Sequence, residues 1–151
     1  MIQRIQTIYL FLSAAALSGS IFTPLATASG DATVLASTGD NFFADGIYWA
    51  KESPGGMALL FAAAFSLLAI FLYKKRPRQM QLAGGMAILT VLLLGALAAL
   101  GYQYAQRLPD GTAAHLAIGS ALPLVAIPLL VLAYRAIKKD EELVRSSDRL
   151  R

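Results

Sequence analysis

Four long apolar stretches, separated by polar segments, dominate the pattern of this chain. They cover about residues 5–25, 55–73, 82–104 and 113–137, and none contains Asp, Glu or Lys. Some 20 apolar residues at about 1.5 Å rise each span the roughly 30 Å of hydrocarbon in a bilayer. The apolar runs are continuous instead of alternating, which predicts helices and not barrel strands. The expected fold class is therefore an all-α membrane protein, a four-transmembrane-helix antiparallel bundle in a single domain over residues 1–151.

Local signals sharpen the boundaries. Ser53 followed by Pro54 suits an N-cap and a first helical position, where proline has no amide hydrogen to lose. Tyr48, Trp49, Tyr73, Tyr102 and Tyr104 lie at stretch ends, where amphipathic rings favour the headgroup region. Arg135 sits one turn inside the end of the fourth stretch and can snorkel to the interface. The first stretch has a rival reading, since Arg4, an apolar core and Ala26-Thr27-Ala28 resemble a secretory signal. Its apolar core is longer than the roughly 7–15 residues of such signals, which favours an uncleaved helix.

The polar segments differ in charge and length. Residues 26–54 carry Asp31, Asp40, Asp45, Lys51 and Glu52, whereas 74–81 carry four basic residues and no acid. Residues 105–112 hold Arg107 and Asp110, and the part after Tyr134 has six basic and four acidic residues. Basic residues thus alternate with the spans. The positive-inside rule then places the amino terminus, the second loop and the tail at 138–151 in the cytoplasm. Short second and third loops make helices two to four antiparallel neighbours. The long exported loop 26–54 is the one with room for structure. A short β-hairpin through Thr33-Val34-Leu35 and Phe42-Phe43, turning at Thr38-Gly39-Asp40-Asn41, is one possibility.

Composition agrees: hydrophobic residues make up 57% of the chain, against about 45–50% in soluble domains, and charged ones 15%. A net charge of +4 is concentrated in the interfacial clusters, which reads as topology and not as a nucleic-acid surface. The absence of cysteine excludes disulfides, thiolate metal sites and thiol catalysis.

Several motifs have a functional and a structural reading. Small residues four apart occur at Ala15 and Gly19, Ala62 and Ser66, and Gly95 and Ala99. They suit either a dimer face or close packing within one bundle, and abundance of Ala and Gly favours the second. Pro123 and Pro128 are candidate kinks in the fourth helix, readable as a simple bend or as a broken-helix binding site. His115 stands alone near the outer end of that helix and makes a poor metal site. Asp31, Asp40 and Asp45 without fixed geometry read as a solvated loop. No ionisable group lies at mid-depth, which disfavours proton or cation transport. No phosphate loop or nucleophile-base pair appears, so neither an enzymatic activity nor a cofactor or metal is expected.

The tail is the most distinctive aqueous feature. Lys138 with Glu142 and Glu141 with Arg145 are spaced to pair along a continuing helix, and Leu143, Val144 and Leu150 add apolar character. Such a tail serves either as a topology anchor or as a contact for the 74–81 loop, a partner or anionic headgroups.

The opening Met1-Ile2-Gln3-Arg4-Ile5-Gln6-Thr7, the central Ile70 to Lys74 with Arg76, Gln79 and Gln81, and the closing segment from Ile137 to Arg151 carry a family resemblance. The chain resembles a bacterial family of small four-helix membrane proteins, a domain of unknown function. That resemblance implies a bacterial inner membrane and no known activity. All three blocks fall on the side assigned to the cytoplasm. They define a candidate interaction face of Gln3, Arg4, Gln6, Lys74, Arg76, Gln79, Lys138, Lys139, Asp140, Glu141, Arg145, Asp148, Arg149 and Arg151. The expected function is a non-enzymatic accessory or assembly subunit, in contact with the bilayer and docking a membrane-complex partner through this face. The alternative is a small transporter or permeation element that uses the fourth helix. A lipid-acting enzyme would need ionisable groups clustered at one interface, which the outer loops barely provide.

Overall fold

In a computed structural model, the protein is described over residues 2–29, 47–49, 54–106 and 113–148. The elements are α1 (Ile2–Gly19), β1 (Pro24–Ser29), β2 (Ile47–Trp49), α2 (Pro54–Phe71), α3 (Arg76–Ala105), β3 (Ala113–Leu116) and α4 (Ile118–Asp148). The helices pack in cyclic order: α1 lies against α2 and α4, and α3 lies against the same two. The short links between α2, α3 and α4 make those helices neighbours in space, and the contact of α1 with α4 closes the ring.

Each apolar stretch forms a helix, but the ends shift for local reasons. α1 stops at Gly19, short of residue 25. Hydroxyls close its last turn, with Ser18 Oγ donating to Ala14 O (2.8 Å), Ser20 Oγ to Leu17 O (2.7 Å) and Thr23 Oγ1 to Gly19 O (3.1 Å). The Ser20 and Thr23 hydroxyls thus satisfy terminal carbonyls, of Leu17 and Gly19, that the helix cannot, and Pro24 pushes Thr23 out of helical geometry. α2 opens on Pro54, as expected. α3 begins at Arg76 and not near residue 82, with Pro77 in its first turn, where no amide hydrogen is needed. α4 starts later, at Ile118, and runs as one helix through the charged tail to Asp148.

The chain is mostly helical, as the all-α class expects, and adds a small antiparallel sheet of order β2-β1-β3. Ala113–Leu116, expected as helix, is its third strand. Register pairs Ala26 with Leu116 and Ser29 with Ala113, and on the other edge Pro24 with Trp49, with a bulge between Pro24 and Ala26. Ser29 Oγ also donates to Ala113 O at 3.1 Å. Proline as the first strand residue costs no ladder bond that the strand needs. The hairpin anticipated through residues 33–35 and 42–43 lies outside the described residues, as do Asp31, Asp40 and Asp45. His115 belongs to β3, opposite Thr27, and is exposed.

Two buried clusters form the core, and all four helices contribute to each neighbourhood. One joins Leu10, Ala69, Ala83, Ala87, Leu130, Ala133 and Ile137. The other joins Leu17, Leu59, Ala62, Ala63 and Ala126, with Leu89 and Leu93 of α3 against it. Small residues dominate this interior. Buried Ser13, Ser66 and Thr90 return their hydroxyl hydrogens to carbonyls of their own helices, at 2.7–2.8 Å. The bulk faces outward instead, where Phe11, Phe61, Phe65, Ile88, Leu92 and Leu124 are all exposed.

Among the described residues two helical segments, Arg76–Gln103 and Ile118–Ser146, are long and apolar enough to cross a membrane. Only 17% and 28% of their most apolar windows are buried, whereas the core helix of a soluble domain is mostly buried. The apolar parts of α1 and α2, Ile5–Gly19 and Gly55–Phe71, are shorter.

Of the small-residue pairs, Ala62 and Ser66 face the interior. Gly95 and Ala99 face outward, so packing within the helix set does not account for them. Ala15 is exposed, while a Cβ on Gly19 would meet Leu122 at 3.4 Å.

Candidate functional site: the basic end of the helices

The start of α1, the α2–α3 turn and the last turns of α4 meet at one end of the protein. The turn is tight: Lys75 N–H donates to Leu72 O at 2.8 Å, and the Arg78 and Gln79 amides donate to Lys75 O at 3.0 Å. This places Arg76 at the start of α3, facing α4. Its Nη1 lies 3.2 Å from Asp140 Oδ2 and donates to the Asp140 carbonyl oxygen at 3.3 Å. One guanidinium thus grips both the side chain and the backbone of α4. The pair is largely shielded, with side chains 24% and 14% exposed, so it is less screened than a surface ion pair.

Gln6 ties α1 to the same region. It is buried, and its Nε2 donates to Ala136 O at 3.1 Å. Gln79 is buried as well. These two amides, expected on a surface, point inward and belong to the helix contacts. Around them the cations are exposed: Lys74, which lies 5.9 Å from the Tyr73 ring centre, and Lys138, Lys139 and Arg145. Lys138 Nζ is 3.9 Å from Glu142 Oε1, a solvent-facing contact of little energetic weight. Glu141 is half-buried.

Gln3 and Arg4 lie in the first turn of α1, and Asp148 closes α4. Arg149 and Arg151 lie outside the described residues. Pro123 and Pro128 are both inside α4, the first fully buried and the second exposed. The geometry therefore unites Gln6, Arg76 and Asp140 at one end and leaves Lys74, Lys138, Lys139 and Arg145 as its solvent-facing rim. Lys75, Arg78 and Arg135 are exposed cations of the same end. Sequence reasoning used them for orientation alone, although their charge was the signal. Among the described residues no three His, Cys, Asp or Glu side chains come together to hold a metal ion.

Removal of the Arg76 grip is a direct test of this end. Arg76→Ala leaves Asp140 partly buried and unpaired, at an expected cost of about 1–2 kcal/mol, below the 3–5 kcal/mol of a fully buried pair. Asp140→Asn costs less, because Arg76 keeps the backbone carbonyl as acceptor. Thermal unfolding of the two variants in detergent should rank them in that order.

A family model described as a domain of unknown function (DUF4293) matches residues 2–150. The chain belongs to this family. The DUF4293 match covers α1 to α4 and so includes the whole basic end. No curated protein and no solved structure matches the chain. Family membership assigns no activity to the basic end, whose chemistry must be argued from its own residues.

Proposed function

We propose that this DUF4293 member is a bacterial inner-membrane protein of four transmembrane helices, with both termini in the cytoplasm. In this reading it is a non-enzymatic accessory or assembly subunit that docks a protein partner through its basic end. Lipid as the surrounding solvent is supported by the outward Phe, Leu and Ile side chains and the small-residue interior. The shorter α1 and α2 match a bilayer only with help from flanking residues, a mismatch that costs fractions of a kcal/mol per Å. The basic clusters at the α2–α3 turn and on α4 support the orientation.

The observation that carries the docking role is the unbroken course of α4. It leaves the apolar layer near Ile137 and continues to Asp148 as one helix, with Glu142 to Ser146 exposed and Leu143 and Val144 among them. A mere topology anchor needs neither an ordered helix nor apolar side chains in water. The permeation reading has no comparable support, since Ala126 and Leu130 beside the two prolines are fully buried.

Two measurements test the proposal. The chain has no cysteine, so it is its own background for single-cysteine labelling. In right-side-out vesicles a membrane-impermeant maleimide should spare Ser146→Cys and modify Ser29→Cys; the opposite pattern would reverse the topology. For docking, the tagged full chain purified from native membranes in mild detergent should retain a stoichiometric protein. The Leu143→Asp, Val144→Asp double variant should lose that protein at unchanged abundance. Equal retention by both would remove the docking role.

A further inference from the structure

We infer that the outward face of α4 is a binding site for an anionic phospholipid, with Arg135 and Lys139 on the phosphate and Leu132, Pro128 and Leu124 along the acyl chains. The inference rests on the membrane reading above and adds a ligand to it. Leu124, Pro128, Leu132, Arg135 and Lys139 are all exposed. Successive steps of four, four, three and four residues keep them within an arc of roughly 80° on the helix. The opposite side of α4, through Ala126, Leu130, Ala133 and Ile137, is buried in the core. The stripe is therefore the side of α4 left uncovered among the described residues, and it changes abruptly from apolar to cationic in one helical turn.

That order of chemistry matches an amphiphile lying along the helix. A soluble acidic partner would meet the cations but leave Leu124, Pro128 and Leu132 uncovered. A zwitterionic lipid would cover the apolar part but bring its own cation to Arg135. Among the described residues neither Arg135 nor Lys139 forms an ion pair; Asp140 pairs with Arg76, and Glu142 lies near Lys138. Both positive charges therefore remain available to a phosphodiester. Arg135 lies about one turn before Lys139, so the two flank a headgroup at different depths, and the planar guanidinium presents a fork of donors to the phosphate oxygens.

Native mass spectrometry of the full chain, from micelles holding equal amounts of phosphatidylglycerol and phosphatidylcholine with matched chains, reads this directly. The natural sequence should carry more phosphatidylglycerol than phosphatidylcholine. Each surface cation contributes about a fivefold preference for anionic lipid, so Arg135→Gln should lower the ratio about fivefold and the double variant with Lys139→Gln should nearly abolish it. Arg145→Gln removes the same charge farther along α4 and should leave the ratio unchanged, while Arg135→Lys should retain most of it. Inorganic phosphate should not displace the lipid; if it does, the site is a free-anion site and the inference fails. It fails equally if the two lipids bind alike or if Arg145→Gln acts as strongly as Arg135→Gln. Recovery of the chain in a detergent-free soluble extract would instead sink the membrane reading itself.

Discussion

Gly119→Ala is expected to destabilise the protein by about 3 kcal/mol or more, the upper end of what inserting a single methyl into a packed site costs. A Cβ at this position would fall well inside contact distance of the Pro24 carbonyl oxygen. It would also lie 2.8 Å from both the carbonyl and the hydroxyl oxygen of Thr23. Two of these three obstacles are backbone atoms, which cannot swing aside as the end of a long side chain can. They are also held in place: Pro24 begins the central strand, Ala117 N–H donates to Leu25 O at 3.0 Å, and Thr23 Oγ1 is bonded to Gly19 O. Glycine is therefore required for the first turn of α4 to sit against the link between α1 and β1. Gly85→Ala is the control, since nothing lies within 4 Å of a Cβ there. In a helix interior that change should stabilise by about 0.5–1 kcal/mol. Thermal unfolding in detergent should move in opposite directions for the two variants. A similar response from both would mean that α4 does not approach the strand as described.

The contrast between these glycines marks how far the sequence could be read. Four helices were legible because each is a long apolar run between charged segments, and the α2 start at Pro54 was legible from proline chemistry alone. The strands were not. β1 and β3 are made from Pro24–Ser29 and Ala113–Leu116, whose apolar and small residues continue the composition of the neighbouring helices. In a run that is apolar on every side, neither the 3.6-residue nor the two-residue period leaves a signature. The pairing also joins segments some 87 positions apart, as between Thr27 and His115 (115 − 27 = 88) and Ser29 and Ala113 (113 − 29 = 84), which local reasoning cannot supply.

At the basic end the outcome was divided in the same way. Charge placed Arg76 and Asp140 on one side of the protein, and α4 continued through Lys138 and Glu142 as their spacing suggested. The inward course of Gln6 and Gln79 was hidden, because a glutamine beside an apolar run looks like the start of a loop. Only the position of Ala136 O within reach of Gln6 shows that the amide links α1 to α4.

Ala126→Leu is the second large effect expected, a loss of about 3 kcal/mol from overpacking. Ala126 is fully buried in α4 and packs in the cluster with Leu17, Leu59, Ala62 and Ala63. Its methyl group lets three helices approach closely, and the three added carbons of leucine would find no room without displacing a backbone. The same substitution at Ala99 on α3 should be nearly neutral, within about 0.5 kcal/mol, because that residue is exposed and points away from the other helices. In lipid a larger outward side chain merely replaces an acyl-chain contact, since the bilayer supplies no hydrophobic drive between helices. Ala99→Leu also probes Gly95 and Ala99 as a dimer face: an unchanged oligomeric mass in detergent means that no second copy packs on these small residues, and dissociation of a dimer means that one does. A comparable loss of stability at both alanines would contradict the small-inside, large-outside arrangement, since only a buried Ala99 could produce it.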